Sequence, residues 1–374
     1  MNDDALPEAD CVDGAPHPRL AHQIFGQSAA ERAFLDAYTG HRLHHAWLIT
    51  GPRGVGKATF AWRVARFLLS QANAPAAAGL FEDVPPAPAI LDISPETPVN
   101  RRISALSEPG LMLIRRAWDG DKKRLKAQIT VDEVRKLGGF FGLSSADGGR
   151  RVVIIDCVDE ANPSAANALL KVLEEPPRKS TLLLISHTPA RLLPTIRSRC
   201  RELRLSTLAD DDLDAALVQA GLEGEISPAL RALASGSVGE AIRLHSNDGP
   251  ENYGQIIRLL SSCPNMDRPQ ALNFAETAAQ RGKDQRLDAA LYLINLALSR
   301  LARTGAGLAP ETEAIPGEIA IFQNLSQSSI AARKWAELQQ DLSARFGHGR
   351  AVNVDPQSLV LDALLRINEA ARHS

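Results

Sequence analysis

Cysteine is scarce in this chain, with four residues in 374, at Cys11, Cys157, Cys200 and Cys263. No two stand in C-x-x-C spacing, so neither a disulfide framework nor a cysteine zinc site is indicated, and no zinc is expected. An excess of one charge sign is lacking as well: 42 Lys+Arg against 44 Asp+Glu leave a formal net charge of −2. A chain so balanced has no global electrostatic grip on nucleic acid. Missing too are a secretory leader pattern and any apolar run of membrane length. These absences predict a soluble cytoplasmic protein with no membrane partner. What is present is ordinary core material, 44% hydrophobic residues, over a length that predicts two or three domains.

The strongest positive signal is Gly51-Pro52-Arg53-Gly54-Val55-Gly56-Lys57, a G-x-x-x-x-G-K phosphate-binding loop. An apolar run from Ala46 to Thr50 precedes it, and a helically spaced apolar stretch from Thr59 to Leu69 follows. Strand, turn and helix are the context in which glycines curl the backbone round phosphate oxygens and a helix N-terminus offers free N–H groups. Lys57 is placed to reach terminal phosphates as a point charge. The next position departs from the pattern. A serine or threonine hydroxyl there holds Mg²⁺; this chain has Ala58, and Thr59 is one residue out of register. ATP or ADP binding is therefore expected as possible, with Mg²⁺ only if a nucleotide binds.

Arg151-Val152-Val153-Ile154-Ile155-Asp156 reads as a buried parallel strand whose last residue faces a ligand crevice, the Walker B pattern, with Asp156 as an indirect Mg²⁺ ligand. Where many such ATPases have a water-polarising glutamate, this chain has Cys157. Asp159 and Glu160 read as too far along the loop to substitute. Thr181 to Ser186 is another buried strand, and Ser186 completes the candidate nucleotide contacts.

Residues 1–19 are acidic and weakly apolar and read as a disordered tail. His44-His45 has no carboxylate or cysteine partner close in sequence and reads as structural rather than metal-binding. Residues 71–108, rich in Ala and Pro, read as an insertion or long surface connection. The charged run from Arg115 to Lys126 could touch phosphates or form a solvated loop; Asp119 and Asp121 dilute it and favour the loop. Thr130-Val131-Asp132-Glu133 is a capping box for a helix ending at Gly138-Gly139. Strands alternate with helices over residues 20–205, which predicts a doubly wound parallel α/β domain. Helical patterns alone follow: a small domain at 206–245, then an all-helical domain at 246–374.

Several segments together carry a family resemblance. Ala165-Ala166-Asn167-Ala168-Leu169-Leu170-Lys171-Val172-Leu173-Glu174-Glu175-Pro176-Pro177 resembles the helix after Walker B in bacterial clamp-loader subunits, and Ile196-Arg197-Ser198-Arg199-Cys200 resembles their S-R-C motif. With Ile24–Gln27, His45-Ala46 and the loop at 51–57, the match spans residues 20–205 and is similar to the AAA+ clamp-loader family of the DNA polymerase III type. The resemblance implies an AAA+ core (20–205), a helical lid (206–245) and a C-terminal collar (246–374) that joins a hetero-pentameric ring with tau/gamma and delta subunits. Through that ring it implies a role in loading a sliding clamp onto primed DNA. In this family the S-R-C arginine, here Arg199, projects into a neighbour's ATP site as a catalytic finger. Ala58, Cys157 and Gly239, which replaces an arginine in a G-S-x-R-x-A segment, favour the delta-prime branch over a tau/gamma-like motor that hydrolyses ATP itself. The four-cysteine zinc module of many relatives is also missing, with residues 71–108 in its place.

Overall fold

The computed structural model describes residues 7–72, 88–142, 149–222, 226–280 and 284–372. Helix α1 (Ser28–Thr39) leads to strand β1 (Ala46–Thr50) and helix α2 (Lys57–Ala72). Helix α3 (Pro98–Ser104) precedes β2 (Leu111–Arg115), a short hairpin of β3 (Trp118–Asp119) and β4 (Arg124–Leu125), and α4 (Val131–Gly142). Then come β5 (Arg151–Asp156), α5 (Pro163–Glu174), β6 (Ser180–Ile185), α6 (Pro194–Arg197) and β7 (Arg201–Arg204). Five of these strands form one sheet in the order β2-β5-β6-β1-β7, every pairing parallel. All residues of β1 and β6 are buried, as a sheet covered by helices on both faces requires. The expected doubly wound P-loop core is therefore present.

Beyond it are helices only: α7 (Asp210–Gln219), α8 (Pro228–Ala234), α9 (Val238–Ser246), α10 (Gly249–Ser261), α11 (Arg268–Ala278), α12 (Asp284–Gly305), α13 (Glu318–Leu325), α14 (Ser329–Ala351) and α15 (Pro356–Ala370). The chain forms two compact units, Met1–Glu223 with Ser237–Gly239, and Gly224–Gly236 with Glu240–Ser374. These limits differ from sequence boundaries at 205 and 245. Helix α8 is bound into the second unit, where Tyr292 donates to the Leu233 carbonyl at 3.1 Å. At the centre of that unit Glu318 is fully buried and accepts from Arg300 at 2.8 and 2.9 Å and from Tyr253 at 2.5 Å, so its charge is paired and satisfied.

Three local expectations need correction. From Pro7 on, the segment expected to be a disordered tail is packed: His17 is buried and caps a single 3-10 turn, Pro18–Leu20, and Arg19 pairs with Glu8 at 2.7 Å. Ion pairs and one buried histidine hold a stretch that is only weakly apolar. Within 71–108, residues 73–87 lie outside the described residues, but Pro98–Ser104 is a helix capped by Thr97, with Val99 and Ile103 buried. Helix α4 runs through Gly138-Gly139 to Gly142, because Leu137 is buried and Phe140 and Phe141 pack against the core on the far side of the glycines.

Candidate functional site

The carboxyl ends of the parallel strands meet along one edge of the sheet, where crevices of this fold class take their ligands. Gly51 follows β1, Ser186 follows β6, Asp156 ends β5, and Arg115 ends β2 as the sheet partner of Asp156. The loop has the backbone its glycines predict. Gly51, Gly54 and Gly56 have φ of +140°, +78° and +95°, and a Cβ on Gly51 would lie 2.4 Å from the Leu205 carbonyl oxygen. Lys57 opens α2, with Ala58 and Thr59 in its first turn and Val55 buried beneath the loop. Gln27 spans the Val55 and Ser206 carbonyls, donating at 3.4 and 2.8 Å.

The charges in this crevice are turned inward. Lys57 is buried, and its Nζ donates to the Gly51 carbonyl at 2.7 Å and the Pro52 carbonyl at 2.5 Å, closing on its own loop. Burial pulls its pKa down to about 8 against the pull of Cys157, Asp156 and Asp159. Asp156 is buried too; burial, with Asp10 and Glu160 adding repulsion, pushes its carboxyl up to about 7. A metal ligand needs its carboxylate ionised, and burial works against that here.

Asp159, set aside on sequence, is part of this site. Its carboxylate accepts from Ser186 Oγ at 2.7 Å, from the His187 and Thr188 N–H groups at 2.5 and 3.3 Å, and from the Cys157 thiol at 3.0 Å. Burial raises its pKa, but these four donors outweigh burial and hold it below the usual aspartate range. Asp159 thus ties the end of β5 to the end of β6 and occupies the hydroxyl of Ser186. No local pattern could reveal it, since three of its four donors stand 27 to 29 residues away. Glu160 pairs with Arg116 at 2.7 Å.

Residues 237–239 close the loop from outside. Ser237 Oγ donates to the Arg53 carbonyl at 2.9 Å and the Gly239 N–H to the Gly54 carbonyl at 3.0 Å. The two backbones touch: a Cβ on Gly239 would stand 2.8 Å from Gly54 Cα, and a Cβ on Gly54 2.3 Å from Ser237 Oγ. Gly239 therefore does more than omit an arginine; the seam has no room for any side chain there.

The fit to a metal-nucleotide is accordingly divided. The backbone of residues 51–57 suits a phosphate, while Lys57, Ala58, Asp156 and Ser186 do not suit a hydrated Mg²⁺. Among the described residues no group of three or more His, Cys, Asp and Glu could hold a metal ion, and no helix is long and apolar enough to cross a membrane.

Arg199 lies at the opposite edge of the sheet. It precedes β7, which runs parallel to β1 from the Trp47–Arg201 pair to the Thr50–Arg204 pair. Three strand intervals alone put about 10 Å between it and the level of the loop. Its side chain is 34% exposed, pairs with Glu174 at the end of α5 at 2.9 Å, and donates to the Thr195 carbonyl at 3.0 Å. His45 lies at this same edge and bonds the Leu173 carbonyl at 3.1 Å, while His44 stacks on it at 4.3 Å and bonds the Ala46 carbonyl at 2.8 Å. The histidine pair thus orients the backbone at the start of β1. The charged run is divided: Arg115 pairs with Glu8 at 2.7 Å, whereas Lys122, Lys123 and Arg124 are exposed on the hairpin.

Comparison with known proteins places this arrangement. The family described as "DNA polymerase III, delta subunit" matches residues 26–209. The delta-prime subunit of Pseudomonas aeruginosa is 36% identical over 216 residues, 57% of this chain and 59% of that protein. The Escherichia coli delta-prime subunit is 30% identical over 254 residues, 65% of this chain and 70% of that one. The Escherichia coli tau subunit is 28% identical over 295 residues, covering 76% and 41%. The chain spans less than two thirds of the Pseudomonas relative's length. Identity with delta-prime extending over most of the Escherichia coli protein, together with a loop whose metal-handling groups are missing or spent, shows that the chain belongs to the delta-prime family of DNA polymerase III clamp-loader subunits.

Proposed function

We propose that this chain is the non-hydrolysing member of a clamp-loader ring and lends Arg199 to ATP held by a neighbouring subunit. The observation that carries this reading is the placement of Arg199. It stands at the amino ends of the strands while the chain's own loop stands at the carboxyl ends, so the guanidinium has no route to its own crevice. Glu174 and the Thr195 carbonyl hold it at a partly open surface, aimed without being buried. A planar fork of donors suits the charge that spreads over γ-phosphate oxygens during transfer. The neighbours would be tau/gamma and delta subunits in a hetero-pentameric ring joined through the helical C-terminal part, and the outcome is opening of the sliding clamp and its loading on primed DNA.

The test is Arg199→Ala in a reconstituted loader. The adjacent ATP site should lose most of its DNA-stimulated turnover, in the range of 10³-fold where a trans arginine is decisive. Unchanged ATPase and clamp-loading rates would overturn the proposal. A tau/gamma-like motor is the second reading, favoured by Lys57 and Asp156 in a correctly folded loop. Ala58, Cys157, Gly239 and the closure of Lys57 on its own carbonyls oppose it. Steady-state turnover by the isolated chain that vanished in Lys57→Ala would favour the motor.

A further inference from the structure

The carboxyl ends of β2 and β5 are covered by the chain's own N-terminal segment. The Asp10 side chain is fully buried; its carboxylate pairs with Arg115 and lies 3.0 Å from His17 Nε2. Glu8 takes another face of the Arg115 guanidinium at 2.7 Å and binds Arg19 at 2.7 Å. Val12 reaches the loop seam, 3.7 Å from where a Cβ on Gly239 would stand. Behind these, His17 meets the Trp62 ring edge-on at 5.9 Å, and Arg66 of α2 donates to the Ala21 carbonyl at 3.0 Å and to that of Arg19.

Arg115 is the partner of Asp156 in the sheet, at the edge where a ligand of this fold would lie. A guanidinium there is a receptor for carboxylate or phosphate oxygens, and burying it demands an anion. Glu8 and Asp10, about a hundred residues away in sequence, supply two. We infer that residues 8–20 are a built-in occupant of the crevice, with Glu8 and Asp10 satisfying Arg115 in place of an anionic ligand and the segment barring polyphosphate from the loop at 51–57. Tethered anions of this kind act at an effective concentration on the order of millimolar, so a nucleotide must displace them to enter. The inference is independent of what Arg199 does in a neighbour.

The experiment uses the full chain and two readouts: amide hydrogen exchange over residues 8–20, and equilibrium binding of a fluorescent ADP without Mg²⁺. Wild type should protect those amides and bind ADP weakly. Glu8→Ala with Asp10→Ala should lose protection at least tenfold and bind ADP at least tenfold tighter. A chain lacking residues 1–12 should gain affinity to the same degree, which guards against a folding defect in the double variant. Asp210→Asn with Asp211→Asn, an equal change of net charge on exposed residues, should match wild type. Three results would each overturn the inference: fast exchange of residues 8–20 in wild type, a released segment with ADP affinity within twofold of wild type, or an equal gain in the charge control.

Discussion

Single residues decide whether this loop could act as a motor. Gly239 is the clearest case, because the seam between residues 237–239 and the loop brings two backbones together with no space for a Cβ. Restoring the family's arginine by Gly239→Arg should not restore hydrolysis. It should overpack the seam and lower stability by about 1–3 kcal/mol, which thermal melting would read out. Asp156 gives a second test. Burial, then Asp10 and Glu160, push its carboxyl up to about 7, whereas an aspartate in an unfolded chain titrates near about 4. Between those values the folded chain keeps a proton that the unfolded chain has lost, so this residue makes stability fall as pH rises through that window and level off above it. Asp156→Asn should remove that slope and make the variant more stable than wild type at pH 8, by on the order of 1–4 kcal/mol. Urea unfolding at pH 5 and pH 8 measures both effects, and a wild-type slope retained in the variant would disprove the assignment. Ala58, Cys157 and Gly239 could all be recognised from sequence as departures from a pattern. Asp159 could not, because its chemistry lies in donors brought to it by a different strand.

At the scale of elements, period and punctuation were good guides wherever burial reinforced them. Four of the five sheet strands follow apolar runs closely, while β7 (Arg201–Arg204) is charged and buries only Leu203; side chains of Asn162, Ser227 and Asp355 cap the helices that follow them. Helix α4 is the exception, since its apolar face continues past two glycines that propensity alone would take as a stop. Both glycines are exposed, and a Cβ on either would meet nothing within 4 Å. Gly138→Ala and Gly139→Ala should therefore each stabilise the chain, by about 0.5–1 kcal/mol, through a less flexible unfolded state and better helix propensity. A melting temperature unchanged or lowered in either variant would show that the glycines serve another purpose. Helices α3 and α13 are short and lean on neighbours for their stability; α13 is organised by Glu318, whose partners Arg300 and Tyr253 lie on other helices.

The whole molecule sets where each group can act. A parallel sheet has two ends, and this chain puts a loop with folded-in charges at one and an offered guanidinium at the other. If Arg199 serves a neighbour, its loss should be nearly silent in isolation: its ion pair with Glu174 is half in solvent, and such pairs contribute about 0–1 kcal/mol. Arg199→Ala should thus melt within a few degrees of wild type while failing in the assembled loader. A large loss of stability in the isolated variant would instead assign the residue to the fold.

Local sequence determined the strands, most helices, the bend of the phosphate loop and the absence of its metal-handling side chains, because periodicity, glycine spacing and residue identity all act within a few positions. Tertiary structure alone decided that Lys57 closes on its own loop, that Asp159 ties two strand ends together, that Glu8 and Asp10 reach Arg115, and that Arg199 faces away from its own crevice. Those outcomes depend on contacts that exist only once the chain is folded: Lys57 turns back onto its own loop, whereas Asp159 and Arg115 meet partners far along the chain, and a buried charge is satisfied by whichever partner the fold brings near it, not by one its neighbours in sequence foretell.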